Sequence, residues 1–149
     1  MRPKDRGTIS LRSADPLQPP IIQPNYFEQD DDIQTLLKGG RMVRQLIQTE
    51  PYQQAQVVEE FPSLAVQSDL ELSAYLREKL GTNWHFCGTC KMGVDPLAVV
   101  SPQLNVFGVQ GLRVADASVM PEIVGGNTNA PTMMIAEKAA DFIKATELH

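Results

Sequence analysis

The residues able to do chemistry in this chain are few, and they cluster. Residues 83–93 read Asn83-Trp84-His85-Phe86-Cys87-Gly88-Thr89-Cys90-Lys91-Met92-Gly93, which gathers the sole tryptophan, both cysteines and one of the two histidines. Histidine is the side chain best suited to taking a proton near neutral pH. No helical or strand period in this stretch accounts for it as packing. About forty residues later, Gly125-Gly126-Asn127-Thr128-Asn129-Ala130-Pro131 leads into a helical pattern. Capping a helix needs one asparagine or threonine, and here three polar side chains stand beside two glycines. The exposed amides of a helix start also favour a negatively charged ligand. The two stretches are read as opposite walls of one site. On residue types alone the plainer readings stay open: a structural histidine, and a helix cap.

His85, Cys87 and Cys90 also have the look of metal ligands, since Cys-Gly-Thr-Cys carries the two-residue gap of zinc and redox motifs. A structural zinc site wants four ligands, and the other histidine is the terminal His149. A zinc deaminase places a glutamate two residues after its histidine, where this chain has Cys87. A thioredoxin-like pair needs a helix after it to lower a thiol pKa, and Lys91-Met92-Gly93 starts none. No metal is expected, and the cysteines are read as buried neutral thiols.

The elements that must position these residues follow from period and punctuation. Ile9 and Leu11 alternate with Thr8, Ser10 and Arg12, predicting a half-buried strand over residues 6–13. Pro16, Pro19, Pro20 and Pro24 then impose an extended connector or edge as far as Tyr26. Asp30, Asp31 and Asp32 suit a helix N-terminus. Ile33, Leu36, Leu37, Gly40, Val43, Leu46 and Ile47 form one apolar stripe, with Gly39-Gly40 explained by close packing and Pro51 as the stop. Residues 53–62 read as a loop with a short turn. Ser68 and Glu71 make a capping box for a helix running to about residue 80, with Gly81 as its C-terminal stop. Short strands are expected at 98–100, 104–107 and 112–115, with Gly108 and Gly111 turning between the last two. The final helix is expected over 132–145, with Pro131 just before its first turn. Strand, helix, helix, strands, helix is an α+β order.

Composition bounds the rest. A chain of 149 residues with 42% hydrophobic and 21% charged residues is a single globular domain, 1–149, able to bury roughly two thirds of its unfolded surface. A net charge of −5 and a pI near 5.0 argue against nucleic acid as a partner. No apolar run approaches the ~20 residues of a membrane helix. The charged start lacks the core of a signal peptide. Two cysteines are too few for a disulfide framework, which points to a reducing, cytoplasmic setting.

Taken together, His85-x-x-Gly-Thr-Cys-x-Met-Gly, Leu112-Arg-Val-Ala-Asp-Ala-Ser-Val-Met-Pro121 and Gly126-Asn-Thr-Asn-Ala-Pro-Thr-Met-Met-Ile-Ala-Glu-Lys-Ala-Ala-Asp141 resemble the C-terminal region of the glucose–methanol–choline (GMC) oxidoreductases. The choline dehydrogenase branch and its alcohol dehydrogenase relatives look most similar. Arg6-Gly7-Thr8-Ile9-Ser10-Leu11 and Pro20-Ile-Ile-Gln-Pro-Asn-Tyr26 resemble that region's entry. The resemblance implies part of an antiparallel-sheet substrate domain with helices, plus the last strand and helix of an FAD domain. It implies an FAD enzyme that oxidises an alcohol to the aldehyde. His85 matches the histidine that accepts the hydroxyl proton while hydride passes to flavin. Asn127 matches the second active-site position, which hydrogen-bonds the substrate oxygen. Trp84, Asp116, Ala117, Thr128, Asn129, Ala130 and Pro131 fall in the segments expected to contact the cofactor.

The family's N-terminal part carries Gly-x-Gly-x-x-Gly, and none of the ten glycines here has that spacing. The chain is therefore expected to be a C-terminal fragment whose partner is the missing N-terminal FAD-binding part. Alone it is expected to hold FAD weakly or not at all and to turn over no alcohol. The alternative is a non-catalytic, self-associating module, a homo-oligomer built on faces that would otherwise meet the missing part.

Overall fold

The structure is a computed structural model that describes residues 2–147; the terminal His149 lies outside the described residues. The chain divides into two compact units, Lys4–Gly81 and the chain from Thr82 onward together with residues 2–3. Helices and a two-stranded antiparallel sheet make it α+β, as the order of elements predicts.

In the first unit, β1 (Thr8–Ser10) pairs antiparallel with β2 (Ile21–Gln23), with Ile9 opposite Ile22. The connector after Pro19 and Pro20 therefore ends as a strand, and both strands are exposed. The next helix, α1 (Asp30–Ile47), has three aspartates in its first turn. One of them, Asp32, accepts from the Lys4 amide at 2.9 and 3.0 Å and from the Asp5 amide at 3.0 Å. Asp5 in turn accepts from the Gln29 amide at 2.8 Å. The strand's lead-in is thus tied to the start of α1 by carboxylates rather than by packing.

Pro51 does not end α1, which stops at Ile47; it lies in the first turn of a short second helix, α2 (Glu50–Gln54). Proline is tolerated there because first-turn amides have no helical partner to lose. The capping box forms as read: Ser68 Oγ accepts from the Glu71 amide, and the Glu71 carboxylate accepts from the Ser68 amide, opening α3 (Asp69–Lys79). Gly81 is not the stop. The chain leaves α3 through Leu80, which turns extended at φ −54, ψ 127.

Packing between α1 and α3 buries Ile33, Leu37 and Leu72. A Cβ added at Gly40 would meet Leu72 Cδ2 at 3.4 Å, so Gly40 has the close-packing role expected of it. Gly39 does not, for nothing lies within 4 Å of its Cβ direction. Further along α1, Val43 and Leu46 are exposed, so only the N-terminal half of the apolar stripe is covered within this unit.

The second unit is built on Val100, Leu104, Val119, Met120, Ile135 and Ala139. The strands expected at 98–100, 104–107 and 112–115 are single bridges instead: Met92 with Val100, Val100 with Val106, and Asn105 with Arg113. Leu104 at φ +68, Gly108 at φ +79 and Gly111 at φ +71 turn the chain too often for a ladder to run. A single 3₁₀ turn, Ala117–Val119, follows. The last helix, α4 (Asn129–Glu147), begins three residues before the expected 132, which puts Pro131 inside its first turn. Among the described residues no helix is long and apolar enough to cross a membrane.

Candidate active site

His85 owes its position to a turn that is fixed at several points. Trp84 adopts a left-handed conformation, φ +60, with its amide donating to Thr82 Oγ1 at 3.0 Å. After His85, Gly88 at φ +91 reverses the chain, and the Lys91 amide closes the turn on the Gly88 carbonyl at 3.3 Å. Two amides then anchor the turn to the 3₁₀ segment: Cys90 donates to the Ser118 carbonyl at 2.9 Å, and Met92 to the Val119 carbonyl at 2.8 Å. Val119 is itself in the buried core, so the turn is bonded directly to the core of the unit.

Glycine is required at 88 for two reasons. Its φ is one that side chains rarely adopt, and a Cβ there would lie 3.3 Å from the Met120 carbonyl oxygen. Cys87 and Met92 pack against the core cluster, but Cys87 and Cys90 are both half-buried rather than buried as expected. Both cysteines are thiols and are not joined to one another. Among the described residues no group of three or more His, Cys, Asp or Glu side chains is placed to hold a metal ion.

The 3₁₀ segment is capped at its start by Asp116, whose carboxylate accepts from the Ser118 amide at 2.8 Å and from the Ser118 hydroxyl. This self-cap leaves Asp116 exposed and Ala117 half-buried against the core, while Val119 and Met120 turn inward beneath α4. The start of α4 then meets the histidine. His85 Nδ1 and Thr128 Oγ1 are 3.0 Å apart, a hydrogen bond between residues 43 positions apart in sequence.

The two stretches singled out in the sequence are thus joined by a side-chain hydrogen bond. Thr128 makes the contact and is only 8% exposed. Asn127, Asn129 and Ala130 are exposed around it, and Pro131 is half-buried. Trp84, 80% exposed, stands on the outer side of the turn. Sequence reasoning missed Ser118 and Val119, whose carbonyls hold the turn. Backbone acceptors so far along the chain leave no trace in residue type.

Comparison with known proteins fits this geometry. The family model described as GMC oxidoreductase matches residues 3–136. An alcohol dehydrogenase (acceptor) of Pseudomonas putida is 46% identical over 141 residues, 95% of this chain and 26% of that protein. The mitochondrial choline dehydrogenase of Homo sapiens is 47% identical over 146 residues, 97% of this chain and 25% of that protein. Among solved structures, an FAD-dependent oxidoreductase from Chaetomium thermophilum superimposes with a TM-score of 0.87 at 33% identity, over 98% of this chain and 26% of that one. The chain spans about a quarter of the length of each relative. With a family model covering nearly all of it, this chain belongs to the GMC oxidoreductases, in the region described by their C-terminal family model.

Proposed function

We propose that the chain supplies the active-site part of an FAD-dependent oxidoreductase that converts a primary alcohol, choline-like or other, to the aldehyde. The observation that carries this reading is the 3.0 Å bond between His85 Nδ1 and Thr128 Oγ1, which joins the histidine turn to the start of α4. In this reading His85 accepts the proton of the substrate hydroxyl. Asn127, exposed one residue before the buried Thr128, hydrogen-bonds the substrate oxygen. Its amide steadies developing alkoxide charge without titrating.

The residues present suit the cofactor. Gly126 has open space where a side chain would stand, which leaves the approach to α4 bare. The first-turn amides of Asn129 and Ala130 have no helical acceptors, and both residues are exposed. Asp116 has its carboxylate turned onto Ser118, so Asp116 and Ala117 can offer backbone to a neighbouring ring. Trp84, Asp116, Ala117 and residues 128–131 would hold the flavin, and bound FAD would supply the hydride acceptor. Everything else falls to side chains of this chain and of the remaining N-terminal part. Alone, the chain is expected to bind FAD weakly or not at all and to turn over no alcohol. The thiols Cys87 and Cys90 favour a reducing compartment, and we place the protein in the cytoplasm.

The test is reconstitution. The chain is mixed with the N-terminal part of a full-length relative and FAD, then assayed on a panel of alcohols beside a His85→Ala sample. Turnover lost in His85→Ala supports the assignment, and turnover retained there removes it. Exposed apolar side chains favour a second reading, a self-associating module without catalysis; Leu11 and Leu17 are examples. Sedimentation of the chain with and without the N-terminal part separates the two, since the module would form a stable oligomer that the N-terminal part does not dissociate.

A further inference from the structure

Thr128 occupies the N-cap position of α4, because the helix begins at Asn129. A threonine there ordinarily turns its hydroxyl oxygen to the backbone N–H two or three residues on. Three residues on is Pro131, which has no N–H to donate. The Thr128 carbonyl makes the ordinary first helical bond, accepting from the Thr132 amide at 3.0 Å, and also accepts from the Thr132 hydroxyl at 2.6 Å. Its own hydroxyl, in a residue only 8% exposed, is bonded to His85 Nδ1. Proline at the third helical position removes one of the two usual amide partners, and the capping hydroxyl reaches 43 residues back along the chain to the histidine.

We infer that Thr128 is a positioning residue that sets the tautomer of His85, its oxygen accepting from Nδ1–H so that Nε2 keeps a bare lone pair. The inference rests on the reading of His85 as a proton acceptor. A neutral imidazole carries one ring hydrogen and offers the other nitrogen as acceptor. Nδ1 is taken up by Thr128, so the nitrogen left to receive a substrate proton is Nε2. Nε2 is bare in the neutral ring only when Nδ1 holds the hydrogen. A histidine side chain in water favours the opposite tautomer, with hydrogen on Nε2, so an acceptor at Nδ1 has a definite task. The hydroxyl oxygen of Thr128 can accept with either lone pair. The same bond restrains the ring, because Thr128 is itself held at its carbonyl by Thr132.

The tautomer is measurable without flavin or substrate. The full 149-residue chain is labelled with ¹⁵N-histidine and given His149→Gln to leave one imidazole. Long-range ¹H–¹⁵N spectra are then recorded at about pH 9, well above the ordinary histidine value. The expected result is a majority Nδ1–H form, retained in Thr128→Ser and reduced to the minor form in Thr128→Val. Valine keeps the branched shape and the carbonyl that α4 uses, so only the hydroxyl is lost. A majority Nε2–H form in the unaltered chain overturns the inference, as does a Thr128→Val spectrum with unchanged tautomer. If Thr128→Val fails to fold, the unaltered chain and Thr128→Ser decide alone: Nδ1–H in both supports the assignment, and Nε2–H in either sinks it. Failure of the proposed function reads differently. A reconstituted enzyme that keeps turnover in His85→Ala removes the proton-acceptor role, while an Nδ1–H spectrum still establishes what Thr128 does to the ring.

Discussion

Glycines 88 and 39 show how differently one residue type can be used. Gly88 reverses the chain at φ +91 with the Met120 carbonyl close by, so alanine there is strained in conformation and crowded in space. Gly88→Ala is expected to cost about 1–3 kcal/mol, the usual magnitude for a side chain forced into that region. Gly39 lies inside α1 with open space around it, and Gly39→Ala is expected to add about 1 kcal/mol through helix propensity. Urea midpoints of the two variants should move in opposite directions. A Gly88→Ala midpoint equal to that of the unaltered chain would remove the claim that the histidine turn is under this constraint. At this scale the sequence was legible where residue type is unusual in its surroundings, as at His85 and at the glycine pair before Asn127. It was not legible where the role depends on a contact 43 residues away, as for Thr128, or on a missing amide, as for Pro131.

Helices in the first unit depend on charged side chains as much as on apolar ones. Arg44 on α1 makes three hydrogen bonds of 2.7 to 3.0 Å to the Glu59 carboxylate and reaches the Val66 carbonyl at 2.7 Å. The Glu59 side chain is only 8% exposed, so Arg44→Met would strand a nearly buried carboxylate and is expected to cost about 3 kcal/mol. Arg41 pairs with Asp69 between α1 and α3, but both side chains are about half exposed. Arg41→Met is therefore expected to cost below about 1 kcal/mol. Thermal unfolding of the two variants checks the ranking, and equal losses would contradict it.

The start of α1 adds a pH dependence. Burial pushes the Asp32 carboxyl up, but the amides of Asp5 and Lys4 that donate to it outweigh burial, and it ends below the usual carboxylate value. A lowered folded pKa means this contribution is complete above the ordinary aspartate range and is lost as pH falls through the depressed value. Asp32→Asn should flatten the acid limb of the stability curve; an unchanged limb would show that Asp32 has no part in it. Helix starts were readable from sequence because a capping box or an acidic first turn is local. The strands at 98–100, 104–107 and 112–115 were not, because apolar alternation cannot reveal that Leu104, Gly108 and Gly111 would break every ladder into single bridges.

Taken whole, the chain exposes more large apolar side chains than its own two small cores can account for. In the first unit Leu11, Leu17 and Val58 are almost fully exposed, and β1 and β2 form a sheet of two strands, an arrangement that is marginal on its own. In the second, Met92, Met120, Val124, Pro131, Met134 and Ile135 line an open groove beside the start of α4. Contiguous apolar surface of this kind ordinarily meets another protein surface. Relatives about four times as long have further chain available to cover such faces. The isolated chain is accordingly expected to bind a hydrophobic dye such as ANS and to self-associate as its concentration rises, by light scattering. Adding the N-terminal part of a relative with FAD should suppress both signals and yield a one-to-one complex carrying flavin absorbance. Met134→Asp, on the groove but outside the set assigned to proton transfer or flavin contact, should weaken that complex while leaving the His85–Thr128 bond in place. A monodisperse monomer that binds no dye would show that these faces need no partner. Complex formation untouched by Met134→Asp would move the docking surface away from the groove.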